Sequence, residues 1–263
     1  INNYMATILF HEIVFGPLHS RRMGTSLGMN LLPYDGKLCS FDCIYCECGL
    51  NKDFRTRTKL PDRENVRLAL EDKLKLLREE GISLDVITFA GNGEPTLHPE
   101  FSGIIDDTIA LRDRYYPTTH ISVLSNGMHI DKNEVFEALK KIDHPVLKLD
   151  SALDETVRLI DRPNSPAYNV ARQVERYKRF KGDFVLQTLF LRGEFEGKRV
   201  DNATEEEVAA WLALVRELNP REVMIYTIDR ETPVKGLEKV PYEVLLNIAE
   251  RVGELGIKTN VAG

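Results

Sequence analysis

The sequence predicts one α/β domain across residues 1–263, a partial (β/α)6 barrel of the TIM type with an extra N-terminal strand segment. Strand-sized apolar runs alternate with helical stretches long enough to cross back between parallel strands. These runs are nearly continuous, as in strands covered on both faces. No repeat or flexible linker divides the chain. An open doubly wound sheet is the alternative, and the pattern favours the barrel.

The elements follow in order. Strands are predicted at residues 28–32, 86–90, 121–125, 146–150, 184–190 and 223–227, with an additional strand at 8–15 and a short closing run at 257–261. Helices are predicted at 62–80, 99–115, 132–140, 154–180, 204–218 and 241–255. Pro163 and Pro166 should break the fourth helix. Thr204 before three glutamates and Pro241 are helix-start signals.

Composition excludes some functions. Lys plus Arg number 35 and Asp plus Glu number 41, a net charge of −6, which disfavours an extended non-specific nucleic-acid binder. A local basic patch, and so a nucleic-acid partner, stays open. No apolar run approaches the roughly 20 residues that span a bilayer, and no signal peptide is recognised. We therefore expect a cytoplasmic protein without a membrane partner.

The cysteines are the most informative feature. Cys39, Cys43, Cys46 and Cys48 lie within ten consecutive residues, and the rest of the chain has none. Disulfides so close together would constrain little of the chain, so a metal site in a reducing compartment is the better interpretation. The loop that carries them follows the first predicted barrel strand, and sites in such folds lie beyond the C-terminal ends of strands.

The spacing of the cysteines discriminates between metals. Zinc sites usually take two separated pairs of ligands, and this chain has no second pair. With C-x3-C-x2-C as the ligating unit, three irons of a four-iron cluster would be held and the fourth left open. An open coordination position is typical of a catalytic site.

The motif from Cys39 to Cys46, with Tyr45 before the last cysteine, resembles the signature of the radical S-adenosylmethionine (SAM) superfamily. The resemblance implies a [4Fe-4S] cluster held by Cys39, Cys43 and Cys46, SAM bound at the open iron, and Tyr45 at the cofactor. It implies reductive cleavage of SAM, hydrogen abstraction from a substrate, and thus an oxidoreductase supplied by a flavodoxin- or ferredoxin-type reductant. Cys48 matches no ligand position: it is a neighbour without a metal role, or it has a substrate-side role or coordinates occasionally.

The turn after the second barrel strand resembles the superfamily's Gly-Gly-Glu-Pro element. The resemblance makes Gly91, Asn92, Gly93 and Glu94 cofactor-binding, with Glu94 accepting the ammonium of SAM and Asn92 departing from a glycine. Alone, these residues predict only a tight turn. They do not form a dinucleotide fingerprint, because Thr96 stands where a glycine is needed, and neither Gly-Lys pair of the chain completes a P-loop.

Polar residues at later strands are further candidates for SAM contacts. Ser125 and Asn126 resemble the superfamily's Ser/Thr-Asn-Gly turn. Asp150 and Ser151 follow Lys148 at the end of a strand. Charged residues inside a barrel are costly to bury, so their presence there indicates a function. Gln187 interrupts an apolar strand. Two of these residues have a structural alternative. Asn126 with the following glycine is also an ordinary turn signal, and Gln187 also fits a core amide with all its hydrogen bonds made.

Other basic residues suggest an anionic substrate without identifying one. Arg21 and Arg22 are able to hold an anionic group, or they form a solvated turn. Arg55 adds charge after the cysteine loop, and Arg230 follows the last strand. The six histidines show no metal-ligand spacing and are structural or surface residues.

Within the superfamily, residues 16–22 together with the cysteine motif are most similar to a wyosine-synthase-related group. That group's additional cluster would need more cysteines than this chain has, which argues against tRNA modification. The rival interpretation is a non-enzymatic iron–sulfur electron carrier or iron sensor, which requires a fourth protein ligand and leaves residues 91–95 without a role.

Overall fold

The computed structural model describes residues 8–20, 23–53 and 56–263, apart from the side chain of Ser20. The chain separates into two compact units. The N-terminal unit contains Leu9–Cys39 and Asn51–Val146, and the C-terminal unit contains Ser40–Leu50 and Leu147–Gly263, together with Ile8. The boundary between units therefore runs through the cysteine loop, with Cys39 in one unit and the other three cysteines in the other.

The N-terminal unit is built on parallel strands with one antiparallel neighbour. Its strands are β1 (Val14–Ser20), β2 (Gly24–Met29), β3 (Val86–Phe89) and β4 (His120–Ser125), and its helices are α1 (Arg63–Glu79), α2 (Phe101–Tyr115) and α3 (Asn133–Lys140). β1 is antiparallel to β2, whereas β2, β3 and β4 are parallel neighbours. Met29 pairs with Phe89 and Phe89 with Val123, so the C-terminal ends of these strands meet at one edge.

The C-terminal unit repeats the parallel arrangement and adds an antiparallel extension. It follows β5 (His144–Lys148), which crosses the unit boundary, and contains β6 (Val185–Phe195), β7 (Lys198–Asp201), β8 (Glu222–Thr227), β9 (Leu237–Lys239) and β10 (Lys258–Ala262). β6, β8 and β10 are parallel neighbours, whereas β7 and β9 pair antiparallel with the second half of β6. The helices are α4 (Asp154–Ile160), α5 (Val170–Lys178), α6 (Glu205–Leu218) and α7 (Tyr242–Gly253).

Local signals explain where the helices begin and what they bury. The Asp62 side chain accepts from the backbone N–H of Asn65 and caps α1, whose buried face includes Leu70, Leu74 and Leu77 at helical spacing. Each such leucine contributes about 1.5–3 kcal/mol by leaving water. Thr204 caps α6 by accepting from the backbone N–H of Glu207, as its sequence predicts. Among the helices in the described ranges, none is long and apolar enough to cross a membrane.

The predicted α/β fold class is confirmed, and two of its N-terminal boundaries are corrected. The first barrel strand is Gly24–Met29 rather than 28–32, because the side chain of Asn30 accepts from the backbone N–H of Leu32 and turns the chain out of the strand. The extra N-terminal strand is Val14–Ser20 rather than 8–15, because its pairing runs from Val14 opposite Met29 to Ser20 opposite Gly24. Leu31 and Leu32 are buried without belonging to the strand.

The C-terminal half differs from expectation mainly in the antiparallel extension. β6 continues to Phe195 because Arg192 pairs with both Asp201 and Glu238, a polar continuation that apolar patterning does not detect. The segment predicted as a broken helix at 154–180 forms α4 and α5, separated around Pro163 and Pro166 as expected. The assignment of the chain to one domain stays a prediction.

Candidate cofactor site

The turn after β3 pairs with the residue before Cys39. Leu38 donates its N–H to the carbonyl of Asn92 at 2.8 Å and accepts from the N–H of Glu94 at 3.1 Å. Gly93 lies between them with φ 137°, and a Cβ atom there would stand 1.9 Å from the carbonyl oxygen of Leu38. Only glycine allows this approach. The turn thus fixes the backbone at the start of the cysteine motif.

Asn92 has a structural reason to replace the superfamily's first glycine. Its side chain is fully buried, accepts from the N–H of Phe10 at 2.8 Å and donates to the carbonyls of Phe10 and Pro33, each at 2.8 Å. It therefore joins three chain segments of the N-terminal unit. Asn92 is not among the non-glycine residues with positive φ, so the substitution leaves the backbone turn in an ordinary conformation.

Glu94 links this turn to the one after β4. Its carboxylate is 2% exposed. Oε1 accepts from the N–H and hydroxyl of Thr96 and from the Ser125 hydroxyl at 2.8 Å, and Oε2 accepts from the N–H of Asn126 at 2.7 Å. Burial raises the pKa of Glu94, and these hydrogen bonds oppose that rise. Among the described residues Oε2 accepts from one donor, the Asn126 N–H, which leaves a lone pair for a second donor.

The structure therefore brings together four of the predicted site residues, Gly93, Glu94, Ser125 and Asn126. Asn126 connects this group to the cysteine motif: its amide Nδ2 donates to the sulfur of Cys39 at 3.7 Å. The expected contacts of these residues with SAM stay predictions. Their contacts within the protein show one connected network from β3 to the first motif cysteine.

The remaining cysteines lie on a loop that the C-terminal unit holds by its backbone. The N–H groups of Asp42 and Ile44 donate to the carbonyls of Asp161 and Ile160, at 3.0 and 2.9 Å. Ile44 is fully buried in an apolar cluster with Ile160, Leu189, Leu191 and Val200. The N–H of Cys46 donates to the carbonyl of Cys43 at 3.1 Å. None of the four cysteines forms a disulfide.

Tyr45 points from this loop into a buried cluster of charges. Its hydroxyl donates to Asp150 and accepts from Lys148, and Lys148 also contacts Asp150 and lies 2.8 Å from Asp161. The side chains of Asp150 and Asp161 are 1% and 2% exposed, and that of Lys148 is 13% exposed. We call Tyr45, Lys148, Asp150 and Asp161 the charge cluster.

Opposite effects set the ionisation of the charge cluster. Burial alone would lower the pKa of Lys148, but the charges of Asp150 and Asp161 outweigh it and raise that pKa well above its usual value. Burial and the neighbouring Asp150 raise the pKa of Asp161 to about 7. Burial and the same carboxylate raise the pKa of Tyr45 well above its usual value. Lys148 is therefore a fixed cation.

Sequence analysis identifies part of this cluster. Asp150 is a predicted site residue and Lys148 belongs to the same strand end, but Asp161 is missed. No local signal marks Asp161, which stands between Ile160 and Pro163 like an ordinary carboxylate at a helix end. Asp150 is further fixed by accepting from the N–H of Leu189 at 3.0 Å.

Two other predicted contacts have defined places in the C-terminal unit. The Ser151 hydroxyl donates to the buried carboxylate of Glu207 at 2.6 Å and accepts from the N–H of Leu153. Gln187 is 8% exposed on β6, opposite Met224 of β8. Glu207, which sequence analysis does not single out, is thus the partner that orients Ser151.

Of the basic residues proposed for an anionic substrate, the structure describes Arg230 but not the other three. Arg21, Arg22 and Arg55 lie outside the described residues. Arg230 forms an ion pair with Glu47, between Cys46 and Cys48, at 2.7 Å. Both side chains are more than two-fifths exposed, so the pair contributes little to stability.

Comparison with known proteins identifies the family. Residues 35–205 match the family model of the radical SAM superfamily, a range that contains the cysteine motif and both networks. This chain belongs to the radical SAM superfamily. The UPF0026 protein of Helicobacter pylori strain 26695 is 31% identical over 225 residues, which cover 85% of this radical SAM chain and 68% of that protein.

Two further relatives differ in length. The UPF0026 protein of Methanocaldococcus jannaschii is 29% identical over 248 residues, 92% of this chain and 72% of that protein. A Brachyspira hyodysenteriae protein named GTPase Obg is 32% identical over 223 residues, 83% of this chain. This chain spans 30% of the length of that Brachyspira protein.

Solved structures share the fold. A radical SAM methyltransferase from Sphaerobacter thermophilus matches with a TM-score of 0.66 and 15% identity over 90% of this chain and 65% of its own. TYW1 with a lysine-pyruvate adduct matches with a TM-score of 0.60 and 16% identity over 88% of this chain and 74% of its own. The match to these proteins confirms the predicted partial-barrel fold.

Proposed function

We propose that this chain is a radical SAM enzyme that binds a [4Fe-4S] cluster through Cys39, Cys43 and Cys46 and cleaves SAM at it. The observation that carries the proposal is the three-thiol loop, anchored on both sides by backbone hydrogen bonds in a chain of this superfamily. When bound and reduced, the cluster supplies one electron to SAM, which yields methionine and a 5′-deoxyadenosyl radical that abstracts hydrogen from a substrate.

The donor set fits this cluster better than a single metal ion. Cysteine side chains outside disulfides become thiolates, which are the ligands of iron–sulfur clusters. In residues 8–20, 23–53 and 56–263, no three His, Cys, Asp or Glu side chains are grouped to hold one ion. A four-iron cluster does not require such a group, because each motif thiolate would bind a different iron. The amide of Asn126, aimed at Cys39, favours a negatively charged sulfur there.

The chain's own residues would bind and orient SAM. The Gly91 to Glu94 turn offers backbone carbonyls and Oε2 of Glu94 to the ammonium. Ser125, Asn126, Asp150, Ser151 and Gln187 are the proposed contacts for the ribose and carboxylate, and Tyr45 is the proposed contact beside the last cysteine. Because Asp150 and Ser151 already have protein partners, their main contribution is a rigid wall for the ligand.

Lys148 is better suited to an ion pair than to covalent chemistry. The TYW1 neighbour contains a lysine-pyruvate adduct. A lysine attacks a carbonyl as the neutral amine, which enzymes obtain by lowering its pKa. The charge cluster raises the pKa of Lys148 instead. We therefore assign Lys148 to holding Tyr45, Asp150 and Asp161 in place.

The reductant and the substrate are proposed only by their chemical class. A flavodoxin- or ferredoxin-type protein would supply the electron, as in a cytoplasmic oxidoreductase. Arg21 and Arg22 would suit an anionic substrate. Cys48 is assigned no metal ligation, because Cys39, Cys43 and Cys46 complete the motif without it.

The test is anaerobic reconstitution followed by incubation with SAM and a strong reductant. The wild-type protein should bind about four irons and form 5′-deoxyadenosine and methionine slowly without substrate. Cys39→Ala, Cys43→Ala and Cys46→Ala should each lose the cluster and the products, whereas Cys48→Ala, the matched control on the same loop, should keep both. If Cys48→Ala alone lost the cluster and the wild type formed no product, an electron carrier would be the correct interpretation.

A further inference from the structure

Two described neighbours, Met128 and Cys39, orient the amide of Asn126. Its Oδ1 accepts from the N–H of Met128 at 3.0 Å, which leaves Nδ2 as the end that faces Cys39. Its backbone N–H is held by Glu94 at 2.7 Å. Asn126 is 6% exposed, so water competes weakly for the amide. The orientation of the donor toward the sulfur is therefore set by the protein.

A hydrogen bond to a cluster sulfur acts on the cluster's redox equilibrium. Reduction adds negative charge to the cluster and its thiolates, and a donor aimed at a ligating sulfur stabilises the more negative form. We propose that Asn126 raises the reduction potential of the cluster by donating its Nδ2–H to the thiolate of Cys39. The inference rests on the proposed function, because it requires a cluster at Cys39.

Glu94 serves this contact as a positioning residue. It binds both the Ser125 hydroxyl and the Asn126 N–H, and so fixes where β4 ends relative to the turn that pairs with Leu38. The Asn-Gly turn after β4 therefore has a use besides reversing the chain. It carries a neutral donor to a motif cysteine without adding a charge beside the cluster.

The test is a potentiometric titration of the reconstituted protein, in which the one-electron reduction of the cluster is followed by its electron paramagnetic resonance signal. Asn126→Ser removes the amide Nδ2 that reaches Cys39 and leaves a shorter hydroxyl whose oxygen serves the N–H of Met128. Asn126→Asp keeps the shape of the side chain but replaces the amide donor by a carboxylate. Ser122→Ala is the control: Ser122 lies on β4, the strand that Asn126 follows, is fully buried, and its hydroxyl has no partner within the described residues.

We expect Asn126→Ser to change the reduced-to-oxidised ratio about tenfold at fixed potential, a shift of about 59 mV to more negative values. Asn126→Asp should shift further in the same direction, and Ser122→Ala should match the wild type, with equal iron in all proteins. An Asn126→Ser protein with a full cluster and an unchanged potential would overturn the inference. A wild-type protein that binds no iron would instead overturn the proposed function.

A second measurement uses only the wild-type protein, so it tests the inference even if the Asn126 variants lose the cluster. Wild-type protein whose asparagine side-chain amides carry nitrogen-15 should show an additional hyperfine coupling in the reduced cluster. If the cluster is present and this coupling is absent, Asn126 does not donate to its sulfur and the inference is wrong.

Discussion

The two units bury their carboxylates beside the cysteine motif in different ways. In the N-terminal unit, Glu94 is surrounded by neutral donors from two neighbouring turns. In the C-terminal unit, Asp150 and Asp161 share the buried cation Lys148 and the hydroxyl of Tyr45. The first network keeps one charge by hydrogen bonding, and the second keeps charges of both signs by pairing them.

The two networks should differ in the substitutions that they tolerate. A carboxylate held by neutral donors can lose one hydrogen bond and keep the others. A buried ion pair that loses one partner leaves an uncompensated charge in a medium of low dielectric constant, which is far more costly. The charge cluster should therefore be the more sensitive of the two.

Replacing Lys148 should have the largest effect. Lys148→Met keeps much of the side-chain volume but leaves Asp150 and Asp161 without a cation, so we expect the free energy of unfolding to fall by about 3–5 kcal/mol. Chemical denaturation of the protein without cluster measures this change. Lys258→Met is the control in the same unit: its side chain is 74% exposed and paired with Glu222. It should change stability by less than about 0.5 kcal/mol. Equal effects of the two substitutions would show that the buried pairing is not needed.

Replacing Glu94 should have an intermediate effect. Glu94→Gln retains one oxygen, but its amide nitrogen must meet a donor from Thr96, Ser125 or Asn126, so we expect a loss of about 1–3 kcal/mol in the free energy of unfolding. The same variant loses the charged acceptor for the ammonium. SAM affinity should fall roughly 10- to 150-fold at unchanged iron content, as calorimetry can measure. Unchanged affinity would remove Glu94 from the SAM site and leave it as a purely structural link.

The smallest effect should be a dependence of stability on pH. The pKa of Asp161 is raised to about 7, so its contribution to stability is complete below its usual pKa of 3.8 and is lost as the pH rises through about 7. Asp161→Asn removes that titration. Between pH 5 and 8, the stability of the wild type should therefore fall relative to that of Asp161→Asn. A constant difference across this range would contradict the raised pKa.

Much of the N-terminal network could be predicted from sequence because its members belong to short turns. Gly93 and Glu94 lie in the turn after β3, Ser125 ends β4 and Asn126 follows it, and adjacent parallel strands place such turns together. What the turns do to one another could not be predicted. The four hydrogen bonds to Glu94 and the contact of Asn126 with Cys39 depend on side-chain directions that no spacing encodes.

The charge cluster shows where sequence reasoning stops. Lys148 and Asp150 lie on one strand end, but Asp161 follows α4 and meets them through tertiary packing. Nothing local distinguishes Asp161 from an exposed helix-end carboxylate. The fold had the same limit: the continuous apolar strands were predictable, whereas the polar second half of β6 depends on partners in β7 and β9.

The proposed function is tested most directly by the response of the reduced cluster to SAM. In wild-type protein with a full cluster, adding SAM should change the electron paramagnetic resonance spectrum, and SAM labelled with nitrogen-15 in its amino group should show hyperfine coupling to the cluster. Lys148→Met and Glu94→Gln that retain iron should weaken this response, because each disturbs one of the two networks. A wild-type spectrum that is the same with and without SAM would mean that no iron is open to SAM and would contradict the account.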